Sequence, residues 1–417
     1  MNLRPLAAAL ALAPSPSLAQ AFDGTQALDA FTGPAATEGR IIGLGGAVVG
    51  LGEGVGAAMF NPAAVAHRRR DLDRGWDLGG TLTYYLPIAR DLGHTDLGND
   101  GRADTALEAE QNAQLGGMVQ VGRFGFGVVA TVWQAAVRRG GGDAVQVATS
   151  DVSFMAGWAF LRDELILGAA STVGAGEVKW FGPGVPLTAT VPSVRYEGPR
   201  LRFGALVRPR GEPWRFGLAW DPGAIAEVRG DRALVPVQTP ASFRFPWTLS
   251  FGGALWLGPN ARHLNEPPVK VAHPEGWGPA PAYEPSRHPP VLVTAQLDLV
   301  GPSPDAVTIE SALFPDRPAV RSGVQGSIVP RVGVEWEAWR RWIRGRAGSY
   351  LEPSRSGAGP RLHGAGGFEV RIPCWPWDLQ AGAYADVARL YRNVTVSLGF
   401  WNETAPLPPA GAGAPAP

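Results

Sequence analysis

The residues that could carry metal or hydrolytic chemistry are scattered along this chain of 417 residues. None of the six histidines lies two or four positions from another, so the close His spacings typical of zinc sites are absent from the sequence. The single cysteine, Cys374, excludes an internal disulfide framework and a cysteine-cluster zinc site. No G-x-S-x-G nucleophile elbow is present. We therefore expect no enzyme activity, no metal centre and no cofactor.

One acidic stretch partly resembles a calcium-binding loop. Its carboxylates fall between Asp91 and Glu110, and Asp96–Gly101 has the spacing with which such a loop begins. The third position is Gly98 and the twelfth is Leu107, where calcium loops carry oxygen ligands. The sequence therefore predicts a solvated loop here.

A glycine-rich stretch, residues 39–67, could suggest a phosphate-binding loop. No window in it completes G-x-G-x-x-G, and no buried parallel strand precedes it. Small residues at this density instead predict a compact segment whose backbone packs closely against its surroundings.

Composition and the first residues limit the class of protein. Lys plus Arg and Asp plus Glu both total 37, so no basic excess indicates nucleic-acid binding. Met1–Ala21 has a positive start at Arg4, an apolar centre and an Ala19-Gln20-Ala21 cleavage site. We expect residues 1–21 to be a signal peptide and the mature protein to be exported. No later stretch is long and apolar enough for a membrane helix.

The body of the chain alternates apolar and polar residues with a period of two, which predicts strands. Residues 392–400, for example, place Val394, Val396 and Leu398 on one face and Thr395 and Ser397 on the other. Fourteen strands are predicted: 76–86, 115–122, 125–137, 147–161, 164–176, 199–208, 214–228, 246–257, 291–300, 327–338, 342–351, 361–372, 376–386 and 392–401.

The links between these strands alternate between long and short, as in bacterial outer-membrane barrels with short periplasmic turns. This arrangement places both termini and every short link on the periplasmic side. Residues 258–290 break the rule, because they should form a short turn and are long. They are either an unusual periplasmic loop or a sign that a strand has been missed. Residues 402–417, rich in Pro, Ala and Gly, are predicted to be a disordered tail.

An exported chain with many strands of about ten residues fits a transmembrane barrel, because a backbone in lipid must satisfy its hydrogen bonds internally. Tryptophans near strand ends, among them Trp76, Trp133, Trp214 and Trp339, suit the interfacial girdles of such barrels. A secreted soluble β-sandwich also alternates, but its outward face is polar. The sequence therefore predicts an all-β, antiparallel transmembrane β-barrel of about fourteen strands, residues 76–401.

A ladder of opposite charges indicates which face is inside. If the hairpin centres between Arg340 and Arg341, Glu335 lies opposite Arg346 and Glu337 lies opposite Arg344. A charge facing lipid at mid-depth costs about 2–4 kcal/mol, so this ladder is predicted to lie in the lumen. An ordinary solvated strand surface is the alternative.

Two patches resemble a known family. The run from Gly43 to Ala66, with Gly45, Gly46, Ala47, Asn61, Pro62 and Ala63, is similar to the N-terminal hatch signature of FadL-type outer-membrane transport proteins. Residues 330–357 are similar to a late hairpin of the same family. Ala64 departs from the family pattern, which has glycine there. Sixteen residues also follow Trp401, where outer-membrane barrels usually end.

The resemblance implies an outer-membrane protein, a hatch formed by residues 22–75 inside the lumen, and passive uptake of hydrophobic molecules such as long-chain fatty acids. The implied hatch residues are Gly43, Gly45, Gly46, Asn61, Pro62 and Ala63. The expected partners are a fatty acid-like ligand, outer-membrane lipid and lipopolysaccharide, with no nucleic acid, and the protein is expected to be a monomer. A non-transporting scaffold for secretion or surface attachment is the main alternative, and a general porin is another.

Overall fold

The computed structural model describes residues 22–31, 33, 37–67, 76–86, 95–258, 261–265, 291–314, 317–339, 342–374 and 377–400. The predicted signal peptide, the predicted tail and most of residues 258–290 lie outside this part of the chain. Within it, no helix has both the length and the apolar character needed to cross a membrane.

Strands account for most of the described chain. Three short helices are α1 (Gly39–Gly43), α2 (Gly54–Phe60) and α3 (Ile309–Leu313). The strands are β1 (Ala27–Asp29), β2 (Trp76–Leu86), β3 (Leu107–Val121), β4 (Phe124–Arg138), β5 (Ala144–Phe160), β6 (Leu165–Phe181), β7 (Ser193–Val207), β8 (Trp214–Asp221), β9 (Ala224–Arg229), β10 (Ser242–Phe245), β11 (Thr248–Leu257), β12 (Val291–Val300), β13 (Ala306–Val307), β14 (Arg321–Ser322), β15 (Ser327–Trp339), β16 (Ile343–Glu352), β17 (Arg361–Cys374), β18 (Trp377–Ala388) and β19 (Tyr391–Gly399).

The sheet closes on itself. Neighbouring strands pair antiparallel in sequence order, and β19 pairs with β2 to complete the circle. Two wall strands are interrupted, because β8 continues as β9 across Pro222-Gly223 and β10 continues as β11 across Pro246-Trp247. Proline cannot donate to the ladder, and Gly223 has a φ of 80°, so pairing shifts at these points. Counting each interrupted pair as one strand and leaving out the short β1, β13 and β14, the described wall has fourteen strands, and the predicted antiparallel barrel is confirmed.

The two faces of the wall differ as a membrane barrel requires. Outward side chains are large and apolar, as at Leu115 (61% exposed) and Phe154 (54% exposed). Their neighbours on the inward face, Gln114 and Ser153, are polar and buried. This is the reverse of a soluble sandwich, whose outward face is polar and whose inward face is apolar. An apolar exterior around a polar interior instead suits a bilayer.

The short turns after β3, β5, β7, β15 and β17 all lie at one end, which we call the periplasmic end. The long links, apart from residues 258–290, lie at the other, outer end. One short link, Arg389-Leu390, also lies at the outer end, so the predicted alternation is not complete. Exposed tryptophans cluster at the periplasmic end, at Trp76, Trp214 and Trp339. Trp133, predicted to join a girdle, faces the interior instead.

Residues 258–290 do not hide a missing wall strand. Strand β11 pairs directly with β12 along its whole length, from Thr248 opposite Val300 to Leu257 opposite Val291. The segment is therefore an insertion at the periplasmic end. Its described part forms a 3-10 helix, Ala261–Asn265, and the Asn265 amide donates to the carbonyl oxygens of Glu212 and Trp214 at 2.8 Å each.

The start of the described chain contradicts the prediction that the mature N-terminus is periplasmic. Strand β1 pairs in parallel with β10 and β13, both at the outer end. Asp29 accepts hydrogen bonds from Ser322 (2.8 Å) and Arg355 (2.7 Å) of the outer links. Residues 27–29 therefore lie at the outer end, whereas the first wall strand, β2, begins at the periplasmic end. Periodicity could not predict this, because β1 is three residues long.

Leu115→Arg tests the outward face. Leu115 lies near the middle of the spanning part of β3, so we expect the charge to lower the free energy of unfolding by about 2–4 kcal/mol in lipid. Urea titration of the refolded barrel in vesicles measures this, with Leu115→Val as the control. An equal effect of the two substitutions would contradict the lipid-facing assignment.

Candidate functional site: the filled lumen

A segment of the N-terminal region lies inside the barrel. We call residues 37–67 the inner segment; it comprises α1, α2 and a 3-10 helix, Pro62–Ala66. Leu44, Val49 and Val65 are completely buried, although each element is too short to form a core of its own. Their contacts are with the inward face of the wall. The inner segment therefore fills the periplasmic part of the lumen.

The first predicted hatch residues contact the wall where it is narrow. A Cβ at Gly43 would lie 2.9 Å from side-chain atoms of Arg346 and Tyr384. Gly45 has a φ of 63°, and a Cβ there would lie 2.8 Å from the Ser349 amide nitrogen. Gly46 follows with a φ of 79°. Glycine suits these positions because the chain turns with positive φ directly against the wall.

Asn61, Pro62 and Ala63 form a second turn. The Asn61 amide donates to the carbonyl oxygens of Val49 (2.9 Å) and Ala205 (3.0 Å), and its oxygen accepts from the Ala63 amide (3.1 Å). Pro62 takes the first helical position, where no amide proton is needed. Asn61 thus caps the 3-10 helix and ties the inner segment to β7. The structure places the turn at Asn61–Ala63 and the turn at Gly43–Gly46 in the same segment. That these residues gate passage stays a prediction.

Glycines of the wall complete the fit, and sequence reasoning missed them. A Cβ at Gly125 would overlap the Val65 carbonyl, and one at Gly217 would overlap the Val49 carbonyl. A Cβ at Gly333 would lie 2.5 Å from the Leu44 carbonyl oxygen. At these three positions the wall thus has no side chain, and the backbone of the inner segment approaches it closely. The only sequence signal was glycine at inward positions of strands.

A network of buried charges joins the inner segment to the wall. Arg40 contacts Glu53 of its own segment at 3.2 Å and Glu335 of β15 at 2.9 Å. Arg346 of β16 contacts the same Glu335 at 2.6 Å and Glu369 of β17 at 3.0 Å. All five residues are at most 8% exposed. Each charge therefore depends on its partners, because a buried charge without one is costly.

The charge ladder lies on this inward face. Glu335 pairs in register with Arg346, and Glu337 with Arg344. The first pair belongs to the buried network, whereas Glu337 and Arg344 are half-buried nearer the periplasmic end. No local pattern indicates that Arg40 would join the ladder.

Two further groups of the inner segment have shifted pKa values. Burial raises the pKa of Glu38, whose carboxylate accepts from the Gly56 amide at 2.7 Å. Burial and the nearby Arg215 lower the pKa of His67 well below its usual value. His67 is therefore neutral, and its Nδ1 donates to the Gly52 carbonyl at 2.7 Å. These bonds hold the turns of the inner segment together.

Above the inner segment lies a cavity of about 350 Å³. Met59 and Phe60 of α2 line it from below, and Phe31 and Leu97 line it from the outer end. Its apolar wall includes Trp133, Phe243 and Phe245. A small molecule placed here would contact aromatic rings and a thioether on several sides.

Charged residues also line the cavity, in pairs. Arg202 contacts Asp221 at 2.9 Å, Arg331 contacts Asp298 at 2.8 Å and Arg355 contacts Asp29 at 2.7 Å. Arg200 pairs with Asp151 and lies 4.2 Å from the centre of the Phe245 ring. Because each arginine has an acid beside it, the lining offers hydrogen-bonding groups without a large excess of either charge.

Comparison with known proteins gives matches of structure only. No protein family matches the chain, and no curated protein sequence matches it. A structure titled "CymD monoaromatic hydrocarbon channel" is 12% identical, covers 89% of this chain and 97% of its own, and has a TM-score of 0.55. The toluene transporter TodX of Pseudomonas putida is 10% identical, covers 88% and 98%, and has a TM-score of 0.52.

The chain has the fold of these hydrocarbon channels. A FadL homologue from Pseudomonas aeruginosa is also similar, at 13% identity and a TM-score of 0.47. The likeness to the CymD and TodX structures confirms, at the level of the fold, the predicted resemblance to FadL-type transport proteins. With its apolar exterior, the barrel is a protein of the bacterial outer membrane.

Glu335→Gln tests the buried network. Arg40 and Arg346 would both lose a carboxylate but keep Glu53 and Glu369, so we expect the free energy of unfolding to fall by about 3 kcal/mol, the lower end of the range for breaking a buried ion pair. Glu337→Gln, on the same face of β15, should cost under about 1 kcal/mol. Urea titration compares them. An equal loss of unfolding free energy in the two variants would mean that the inner segment does not depend on Glu335.

Gly125→Ala tests the close fit of the wall. The added methyl group overlaps the Val65 carbonyl, so we expect the inner segment to loosen and residues 61–67 to become accessible to protease from the periplasmic end. Gly364→Ala is the matched control, because no atom lies within 4 Å of a Cβ there. Protection of the segment in both variants would show that its packing at Gly125 is not close.

Proposed function

We propose that the protein is a passive channel through which hydrophobic small molecules cross the outer membrane. The observation that carries this proposal is the aromatic-lined cavity enclosed in the lumen, between the inner segment and the outer links. A cavity of about 350 Å³ is at the lower end of the range of about 300–1000 Å³ typical of small-molecule sites. Burial of apolar surface in it would favour binding without an energy source.

The inner segment would act as the hatch of this channel. It forms the floor of the cavity, so a ligand bound above it can reach the periplasm only if the floor rearranges or the wall opens. Its elements are short, and Arg40 and Asn61 are two of the several residues that make polar contacts with the wall. Gly43, Gly45, Gly46, Asn61, Pro62 and Ala63 would set its closed position.

The titles of the two similar structures name aromatic hydrocarbons as what those proteins carry. A fatty acid-like molecule is our proposal for this chain, because Arg200 and Arg202 offer hydrogen-bond donors beside Phe245 and Phe243. A carboxylate could lie at the arginines while the alkyl chain contacts the rings. A monomeric barrel surrounded by lipid and lipopolysaccharide is the assembly that we expect.

Filling the cavity tests the proposal. Ala219 lines the cavity and is 4% exposed, so Ala219→Trp should reduce entry of a fluorescent long-chain fatty acid into proteoliposomes by about ten-fold, because an indole occupies much of a cavity of this size. Ala156→Trp is the matched control, because Ala156 lies on the outward face of the wall.

Reduced uptake in the first variant alone would support the channel. Equal uptake by both variants and by protein-free liposomes would favour the non-transporting scaffold. Ion conductance through the wild-type barrel, with the inner segment in place, would instead indicate a general porin. Toluene as a second solute would separate a hydrocarbon channel from one that prefers fatty acids.

A further inference from the structure

Three carboxylates of the outer links come together beside the mouth of the cavity. Asp96 and Asp104 belong to the link between β2 and β3, and Glu310 belongs to α3, more than 200 positions later. One oxygen from each lies within 4.8 Å of the others. Asp96, Asp104 and Glu310 are 2%, 0% and 3% exposed. A solvated acidic loop, which the sequence predicted, would leave these groups in water, so that prediction is wrong for this part of the link.

Positive charge is scarce around these groups. Arg317 contacts one oxygen of Asp104 at 3.1 Å. The Asp96 carboxylate accepts backbone amides of its own loop, and Arg361 donates to the main-chain oxygen of Asp96 rather than to its side chain. Three buried acids thus have one arginine in direct ion-pair contact within the described residues.

Glu310 supplies the observation that points to a ligand. Its Oε1 accepts from the Gly98 amide. Its Oε2 is buried and has no hydrogen-bond partner in the part of the chain that the structure describes. A buried carboxylate oxygen without a partner is costly, and a bound cation would satisfy it.

We propose that Asp96, Asp104 and Glu310 form a calcium site that joins the first outer link to α3. Carboxylate oxygens are hard ligands, and Ca²⁺ accepts irregular oxygen sets more readily than Mg²⁺, which requires an octahedron. Thr95, Gly98 and Ile309 also line the cavity, so the ion would fix the outer rim of the proposed ligand site. The site does not depend on what the channel carries.

Calorimetric titration of the full-length barrel in detergent, after chelator treatment, tests the site with CaCl₂. We expect one ion per chain. Glu310→Gln should lower the affinity by about ten-fold or more. The matched control is Asp305→Asn, an exposed acid in the same link, which should bind as the wild type does.

Folding of each variant is checked by its heat-dependent mobility in detergent gels. If Glu310→Gln does not fold, Asp96→Asn replaces it, since an amide can still accept one of the two backbone bonds. No heat from the wild type with CaCl₂ up to about 10 mM, above the range of weak extracellular calcium sites, would overturn the proposal. Wild-type affinity in either cluster variant would also overturn it.

Discussion

A closed barrel of fourteen strands encloses more space than its own side chains can fill. Barrels of about eight strands are packed by inward side chains, and those of sixteen or more leave an aqueous channel. This wall has many glycines, serines and threonines on its inward face, which leaves the lumen wider still. The protein fills that space with its own N-terminal region, and the other features of the interior follow from this.

The filling segment has to satisfy two conditions at once. Its backbone polar groups are buried, so they need partners, as the Val48 and Val49 amides find in the Gln296 oxygen at 2.9 Å. It also has to be removable if molecules are to pass. Hydrogen bonds, ion pairs and glycine contacts specify one position for the segment, and its apolar side chains, such as Leu44 and Val65, form one buried cluster with Met118 and Met155 of the wall. Among the polar contacts, Arg40 and Glu335 are the clearest example.

The wall could be predicted from the sequence because a period of two, repeated in many segments, is a strong signal. Strand starts were less well predicted: β3 begins at Leu107 rather than at 115, because its polar outer part, Glu108 to Gln114, lacks an alternating apolar face. The pairing of Glu335 with Arg346 could be predicted because both residues lie in one hairpin, whose centre sets the register. In contrast, Arg40, Gly125 and Glu310 take part through contacts between distant parts of the chain, and no local pattern encodes such contacts.

If molecules pass through the floor of the cavity, as we propose, the inner segment has to move, and a reversible cross-link tests this movement most directly. A Cβ at Gly157 would lie 3.1 Å from the Cβ of Ala66, somewhat less than the separation of about 3.5–4.5 Å in a disulfide, so a small shift would allow a cross-link. In a Cys374→Ser background, Ala66→Cys with Gly157→Cys should block fatty acid uptake when oxidised and restore it when reduced. Uptake at the same rate in the oxidised and reduced states would contradict the account.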